Sequence, residues 1–196
     1  MTQQRNVAIL IFDDVEVLDF CGPFEVFSVT GRSSDVRPFN VYTVAETSGP
    51  VLARNGLSVN PAYTIADCPQ PDILLVPGGW GTRQAMQNEM IVRWVREQGG
   101  RVELLLSVCT GALVLGKAGL LDGLEATTHH SAFDLLGETA PKAKLCPDRR
   151  FVDNGAVVLS AGISAGIDMS FHVVTRLLGE EAARDAAHYM EYDWPR

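Results

Sequence analysis

Between residues 104 and 116 the chain reads Leu-Leu-Leu-Ser-Val-Cys-Thr-Gly-Ala-Leu-Val-Leu-Gly, and this run restricts the possible folds more than any other stretch. An apolar segment suited to a buried strand ends at Ser107-Val108, and an apolar helical pattern restarts at Ala112. Only Cys109-Thr110-Gly111 lies between them, so Cys109 is expected on a sharp strand-to-helix elbow. Such a turn holds its central residue in a costly backbone conformation and lifts the side chain to the mouth of the sheet. The positive end of the following helix favours a thiolate there. A free cysteine is more often a small buried core residue. A strand that closes on Cys-Thr-Gly rather than on Asn, Asp or Pro points instead to an exposed, reactive thiol.

The rest of the chain alternates strands with helices. Val7–Phe12 reads as a buried strand, followed by a loop through Asp19 and a helix that starts near Pro23, where proline is tolerated in a first turn. Phe39–Ala45 reads as a strand, and Gly49–Thr64, with Asn55-Gly56, as a small hairpin excursion. Asp72–Val76 is the next buried strand; Pro77-Gly78-Gly79-Trp80-Gly81 turns it into one helix over Thr82–Glu97. Arg101–Leu106 leads to the elbow, whose helix ends near Gly119. A short strand over Glu125–Thr128 and a helix over Ser131–Leu136 follow. A hairpin turn at 153–156 joins the strands 150–152 and 157–159. A glycine-rich turn at 160–166 then launches a helix over Ile167–Leu178, and a last helix runs from Glu180 to about Tyr189.

That order predicts an α/β fold, a three-layer α/β/α sandwich with a mainly parallel sheet, in which ligands sit beyond the carboxyl ends of the strands. The Asp19 loop, the Gly78-Gly79 turn and the Cys109 elbow all leave strands at that end and are expected to converge. The length of 196 residues suits one domain over 1–196.

Composition narrows the function. A net charge of −8 argues against nucleic acid, which needs clustered Lys and Arg, and Arg149-Arg150 is too small a cluster. No apolar run reaches membrane-span length and no signal segment opens the chain, so a cytoplasmic protein without membrane contact is expected. Cys21, Cys68, Cys109 and Cys146 are widely spaced, which predicts reduced thiols and no metal site. Gly78-Gly79 and Gly162–Gly166 lack the spacing of a dinucleotide loop. Among the four histidines, His172 and His188 fall inside helices, while His129 and His130 follow the strand ending near Thr128 and can reach a pocket rim.

Taken together, Asp19 before Gly22-Pro23, Val76-Pro77-Gly78-Gly79, the Cys109 elbow, Ala126-Thr127-Thr128-His129 and Gly162-Ile163-Ser164-Ala165-Gly166-Ile167-Asp168 resemble the ThiJ/PfpI superfamily. That superfamily has the class I glutamine-amidotransferase-like, flavodoxin-like fold. The resemblance spans almost the whole chain and is strongest to the isocyanide (isonitrile) hydratases, which share Ser-Val-Cys-Thr-Gly at the elbow. It implies cofactor-free hydration of a small-molecule isocyanide to an N-substituted formamide, with Cys109 as nucleophile and Asp19 as the proton carrier, protonated when the sulfur is ionised. The amides of Gly79 and Thr110 would face the developing charge, with the Thr110 hydroxyl assisting. Gly78, Trp80, His129, Ile163 and Cys21 would line the pocket. Trp80 and His130 depart from the hydratase pattern, and Thr110 stands where relatives with a histidine base carry that histidine.

The same motifs occur in the sensor-like N-terminal domains of AraC-type regulators, although no helix-turn-helix domain is expected after Arg196. A redox or ligand sensor in which Cys109 oxidises is therefore one alternative, and a glyoxalase- or amidase-like enzyme using the same cysteine is another. Superfamily members are usually dimers. Phe20, Phe24 and Phe27 offer more aromatic surface than one core face needs, so a homodimer is expected.

Overall fold

The computed structural model describes residues 4–32 and 37–194. Its strands are β1 (Arg5–Leu10), β2 (Phe39–Ala45), β3 (Val51–Leu52), β4 (Ser58–Val59), β5 (Tyr63–Thr64), β6 (Ile73–Val76), β7 (Leu104–Val108), β8 (Glu125–Ala126), β9 (Lys144–Leu145), β10 (Phe151–Asp153) and β11 (Val157–Ser160). Its helices are α1 (Val17–Val29), α2 (Thr82–Ala85), α3 (Glu89–Gly99), α4 (Gly111–Lys117), α5 (Phe133–Thr139), α6 (Ala165–Leu178) and α7 (Glu180–Tyr189).

One seven-stranded sheet runs in the order β10-β11-β7-β6-β1-β2-β5, parallel throughout except for the antiparallel β10–β11 hairpin. Its central strands read Val-Ala-Ile-Leu, Ile-Leu-Leu-Val and Leu-Leu-Leu-Ser-Val and are wholly buried, as strands covered on both faces must be. Helices α1, α6 and α7 pack together on one face and α3, α4 and α5 on the other, which gives the three expected layers. Pairing of Val76 with Ser107 and of Val108 with Ser160 levels the carboxyl ends of β6, β7 and β11. The turns that leave those three strands therefore meet. Among the described residues no helix is long and apolar enough to cross a membrane.

Several boundaries differ from the sequence reading. Helix α1 begins six residues before Pro23, which lies inside it, so Asp19 occupies a first helical turn and not a loop. A proline there removes one helical hydrogen bond and crowds the preceding turn; burial of Phe20, Val26 and Phe27 on the same helix outweighs that cost. The expected single helix over Thr82–Glu97 is two, because the Asn88 side chain accepts from the amides of Met90 (3.0 Å) and Ile91 (3.3 Å) and starts α3 afresh. The elbow strand occupies Leu104–Val108 and not Arg101–Leu106, since Arg101 still closes the turn after α3 through its amide to the Gln98 carbonyl. Glu125–Ala126 pairs with Lys144–Leu145 in a separate ribbon, leaving Thr127 and Thr128 outside any strand. Phe20 and Phe27 are buried in the chain's own core, Phe27 edge-on to Phe39, so the aromatic argument for a dimer does not hold.

Candidate functional site

The site is built on a glycine that cannot be anything else. A Cβ on Gly111 would lie 2.0 Å from the Val76 carbonyl oxygen, so only glycine lets α4 start this close to β6. That close start forces Cys109 into the left-handed region at φ 57, as the elbow pattern predicts. Both of its backbone groups are held. The Cys109 amide donates to the carbonyls of Ser160 (3.2 Å) and Ala161 (3.1 Å), and its carbonyl accepts from the Thr128 hydroxyl at 2.8 Å. The Thr127-Thr128-His129 segment thus pins the elbow from the side.

Asp19 reaches the same point from α1. It is fully buried, and its Oδ2 accepts from the Gly78 amide at 3.0 Å, while Oδ1 has no hydrogen-bond partner. A Cβ on Gly78 would fall 2.5 Å from the Thr110 nitrogen and 2.8 Å from Asp19 Oδ2, so Gly78 is the spacer that brings carboxyl and elbow together. Burial raises the Asp19 carboxyl to about 7, against the opposing pull of the Cys109 thiol and the Gly78 and Ile163 amides, with Glu16 adding to the rise. Ile163, a β-branched residue at φ 54, adopts a backbone conformation that costs energy unless its surroundings impose it. Its amide and that of Thr110 favour charge on the Cys109 sulfur.

The thiol differs from its expectation. Cys109 is 5 % exposed, not open to solvent. Burial, with the Asp19 charge beside it, pushes the thiol up to about 12, so desolvation outweighs the helix end and the two amides. The resting arrangement is a protonated sulfur next to a carboxyl poised near neutrality.

The other anticipated residues divide. Gly79, at φ 123, has an amide that donates to Thr110 Oγ1 at 3.0 Å, so neither that amide nor that hydroxyl is free to face a ligand. Instead the Thr110 and Thr82 hydroxyls both bond the Gly79 carbonyl (3.0 and 2.8 Å) and lock the two turns together. Trp80 stands 65 % exposed on the rim with the Arg83 guanidinium 4.4 Å above its ring. His129 packs on Gly162, bonds the Ser131 hydroxyl through Nδ1 at 2.8 Å, and is pushed down chiefly by burial, which favours the neutral ring. Together with His130, Phe133, Pro147 and Ile163 it lines a cleft of about 340 Å³ beside the elbow. Cys21 is an exposed thiol on α1, outside the Asp19–Cys109 pair. The described residues hold no cluster of three His, Cys, Asp or Glu suited to a metal ion. Sequence reasoning named Thr128 only as part of the Thr-Thr-His motif and gave Thr82 and Arg83 no role in the site. Threonines flanking a tight turn are its natural hydroxyl partners, and that signal was available.

Comparison with known proteins agrees with this fold. Residues 5–176 match the family model described as DJ-1/PfpI. The chain is 36% identical over 188 residues to the isonitrile hydratase of Pseudomonas putida, covering 95% of this chain and 78% of that protein. It is 32% identical over 168 residues to the transcriptional regulator CdhR of Pseudomonas aeruginosa, where it spans 49% of the regulator and 80% of itself is matched. Among solved structures, a ThiJ/PfpI family protein from Pseudomonas syringae superposes with a TM-score of 0.89 at 30% identity, over 100% of this chain and 78% of that one.

Proposed function

The chain belongs to the DJ-1/PfpI family, and on that premise we propose that it hydrates a small isocyanide to an N-substituted formamide, with Cys109 as nucleophile, Asp19 as acid–base group and no cofactor. The observation that carries this reading is the buried pair itself: a thiol pushed up by burial, next to a fully buried carboxyl held at about 7. An acid–base group works best with its pKa near the operating pH.

Ionised Asp19 takes the thiol proton as sulfur bonds to the terminal isocyanide carbon, then returns that proton to the same carbon. The product is a thioimidate, R–N=CH–S–Cys109. Water then adds to this carbon, one of its protons passing through Asp19 to nitrogen, and loss of the sulfur with the remaining proton yields R–NH–CHO and the free thiol. Thr110 and Ile163 amides stabilise charge on sulfur during attack and departure. Incubation with a small isocyanide is expected to yield formamide by NMR and, on rapid acid quench, a substrate-mass adduct on the Cys109 peptide. Neither product would overturn the reading.

Similarity to a regulator supports a second reading, in which the chain is a sensor; its chemistry would be oxidation of Cys109 by two equivalents of peroxide, through sulfenate to sulfinate, each peroxide being reduced to water. Absence of turnover on isocyanides and on small carbonyl substrates, together with a stable two-oxygen mass gain on Cys109, would favour it.

The proposed assembly is a two-fold homodimer. Leu18 on α1 and Ile163 are exposed apolar side chains available to such a contact. Light scattering at micromolar concentration is expected to return twice the chain mass of 21.3 kDa; a value at the chain mass would contradict it.

A further inference from the structure

Arg83 is a cation with an unusual setting. Its guanidinium lies 4.4 Å over the ring of the exposed Trp80, and its Nη1 reaches the Gly79 carbonyl at 3.5 Å and the Thr82 hydroxyl at 3.4 Å. Those contacts are long, and no carboxylate pairs with Arg83 among the described residues. The Gly79 carbonyl that Arg83 approaches is the one bonded by the Thr110 hydroxyl, on the residue next to Cys109. Arg83 and Glu16 both act electrostatically on His129, which lines the cleft beside the elbow, so the guanidinium lies near that cleft. The Trp80 ring covers one side of the guanidinium, and only Nη1 of its nitrogens has a hydrogen-bond partner among the described residues, which leaves the other N–H donors for a ligand. The protein as a whole carries −8, a field that repels anions, which makes an unpaired cation at this mouth a local exception.

We infer that Trp80 and Arg83 form a rim subsite for a carboxylate, so that the substrate is an isocyanide bearing a carboxylate group. This rests on Cys109 being the reacting group. With the isocyanide carbon at the sulfur, the carboxylate meets the guanidinium edge while the Trp80 ring shields one face of the ligand. When the carboxylate sits on the carbon next to nitrogen, the product is an N-formyl amino acid. Neutral isocyanides of the same size lose this contact.

Alkylation tests the subsite without any assumption about isocyanide chemistry. Iodoacetate and iodoacetamide differ by the carboxylate alone, and peptide mass spectrometry reads the rate at Cys109 separately from Cys21. The iodoacetate-to-iodoacetamide rate ratio at Cys109, relative to glutathione under the same conditions, is expected to exceed one. Arg83→Gln is expected to lower that ratio roughly tenfold, in line with the loss of a charge-assisted hydrogen bond, and Arg83→Lys to retain most of it. A purely structural clamp on the Gly79 turn would slow both reagents equally and leave the ratio where it was. An unchanged ratio in Arg83→Gln, or a ratio below that of glutathione in the wild type, overturns the subsite. For turnover, a carboxylate-bearing isocyanide is expected to show a lower KM than its methyl ester, and Arg83→Gln to raise KM for the acid with little change in kcat. No turnover of either compound together with a shifted alkylation ratio would sink the hydratase reading and leave the anion subsite standing.

Discussion

Cys109→Ala is expected to lower formamide production by about 10⁴–10⁶-fold, the range seen when a member of a covalent catalytic unit is removed. The sulfur is the atom that bonds to substrate, and no second thiol shares its position: Cys21 is exposed on α1, and Cys68 and Cys146 lie elsewhere in the fold. The fold itself is expected to survive. Alanine keeps a Cβ at φ 57 like the native residue, and the elbow bonds from Thr128 and to Ser160 and Ala161 use backbone atoms of residue 109 only. Circular dichroism with NMR assay of formamide checks both halves. Turnover within tenfold of wild type would remove Cys109 from the reaction.

Asp19→Asn is expected to have opposite effects on activity and stability. Turnover falls by about 10²–10⁴-fold, since the amide keeps an acceptor for the Gly78 amide but cannot take or return a proton. In the wild type, kcat/KM is expected to rise as pH passes upward through about 7, where Asp19 ionises, and that limb is expected to be absent in the variant. Stability moves the other way. A carboxyl raised in the folded state binds its proton more tightly there than in the unfolded chain, so its contribution is fully present below the unfolded value near 3.9 and is lost as pH rises through about 7. Holding a buried carboxyl at about 7 instead of 3.8 corresponds to roughly 4 kcal/mol at pH 8. Asp19→Asn is therefore expected to unfold at higher denaturant concentration than wild type at pH 8, with the gap closing toward pH 4. A gap that is absent at pH 8, or one that is independent of pH, would mean that the buried carboxylate costs the fold nothing.

Burial of the Asp19 carboxyl gives the pH limb and the stability gap a common origin. Taking a carboxylate out of water is expensive. That expense keeps a charge from settling comfortably on the carboxyl and leaves it ready to accept the thiol proton.

What local sequence determined was the series of buried strands and the position of the elbow. Val7–Leu10, Ile73–Val76 and Leu104–Val108 are apolar at every position but Ser107, which only a sheet covered on both faces accommodates. The brevity of Cys109-Thr110-Gly111 left no room for an ordinary loop. Resemblance, and not spacing, singled out Asp19, because an acid before a helix is ordinarily a cap or a solvated side chain. Tertiary structure decided what charge these groups carry. A helix N-terminus is a local feature that can be read from the order of residues, but desolvation depends on everything packed around the group. Here the layers over the sheet bury Cys109 and Asp19 together, which reverses the expected low thiol pKa. Tertiary structure also assigned the Gly79 amide to the Thr110 hydroxyl and stacked Arg83 on Trp80, since both depend on how separate turns meet at the carboxyl ends of strands far apart in the chain.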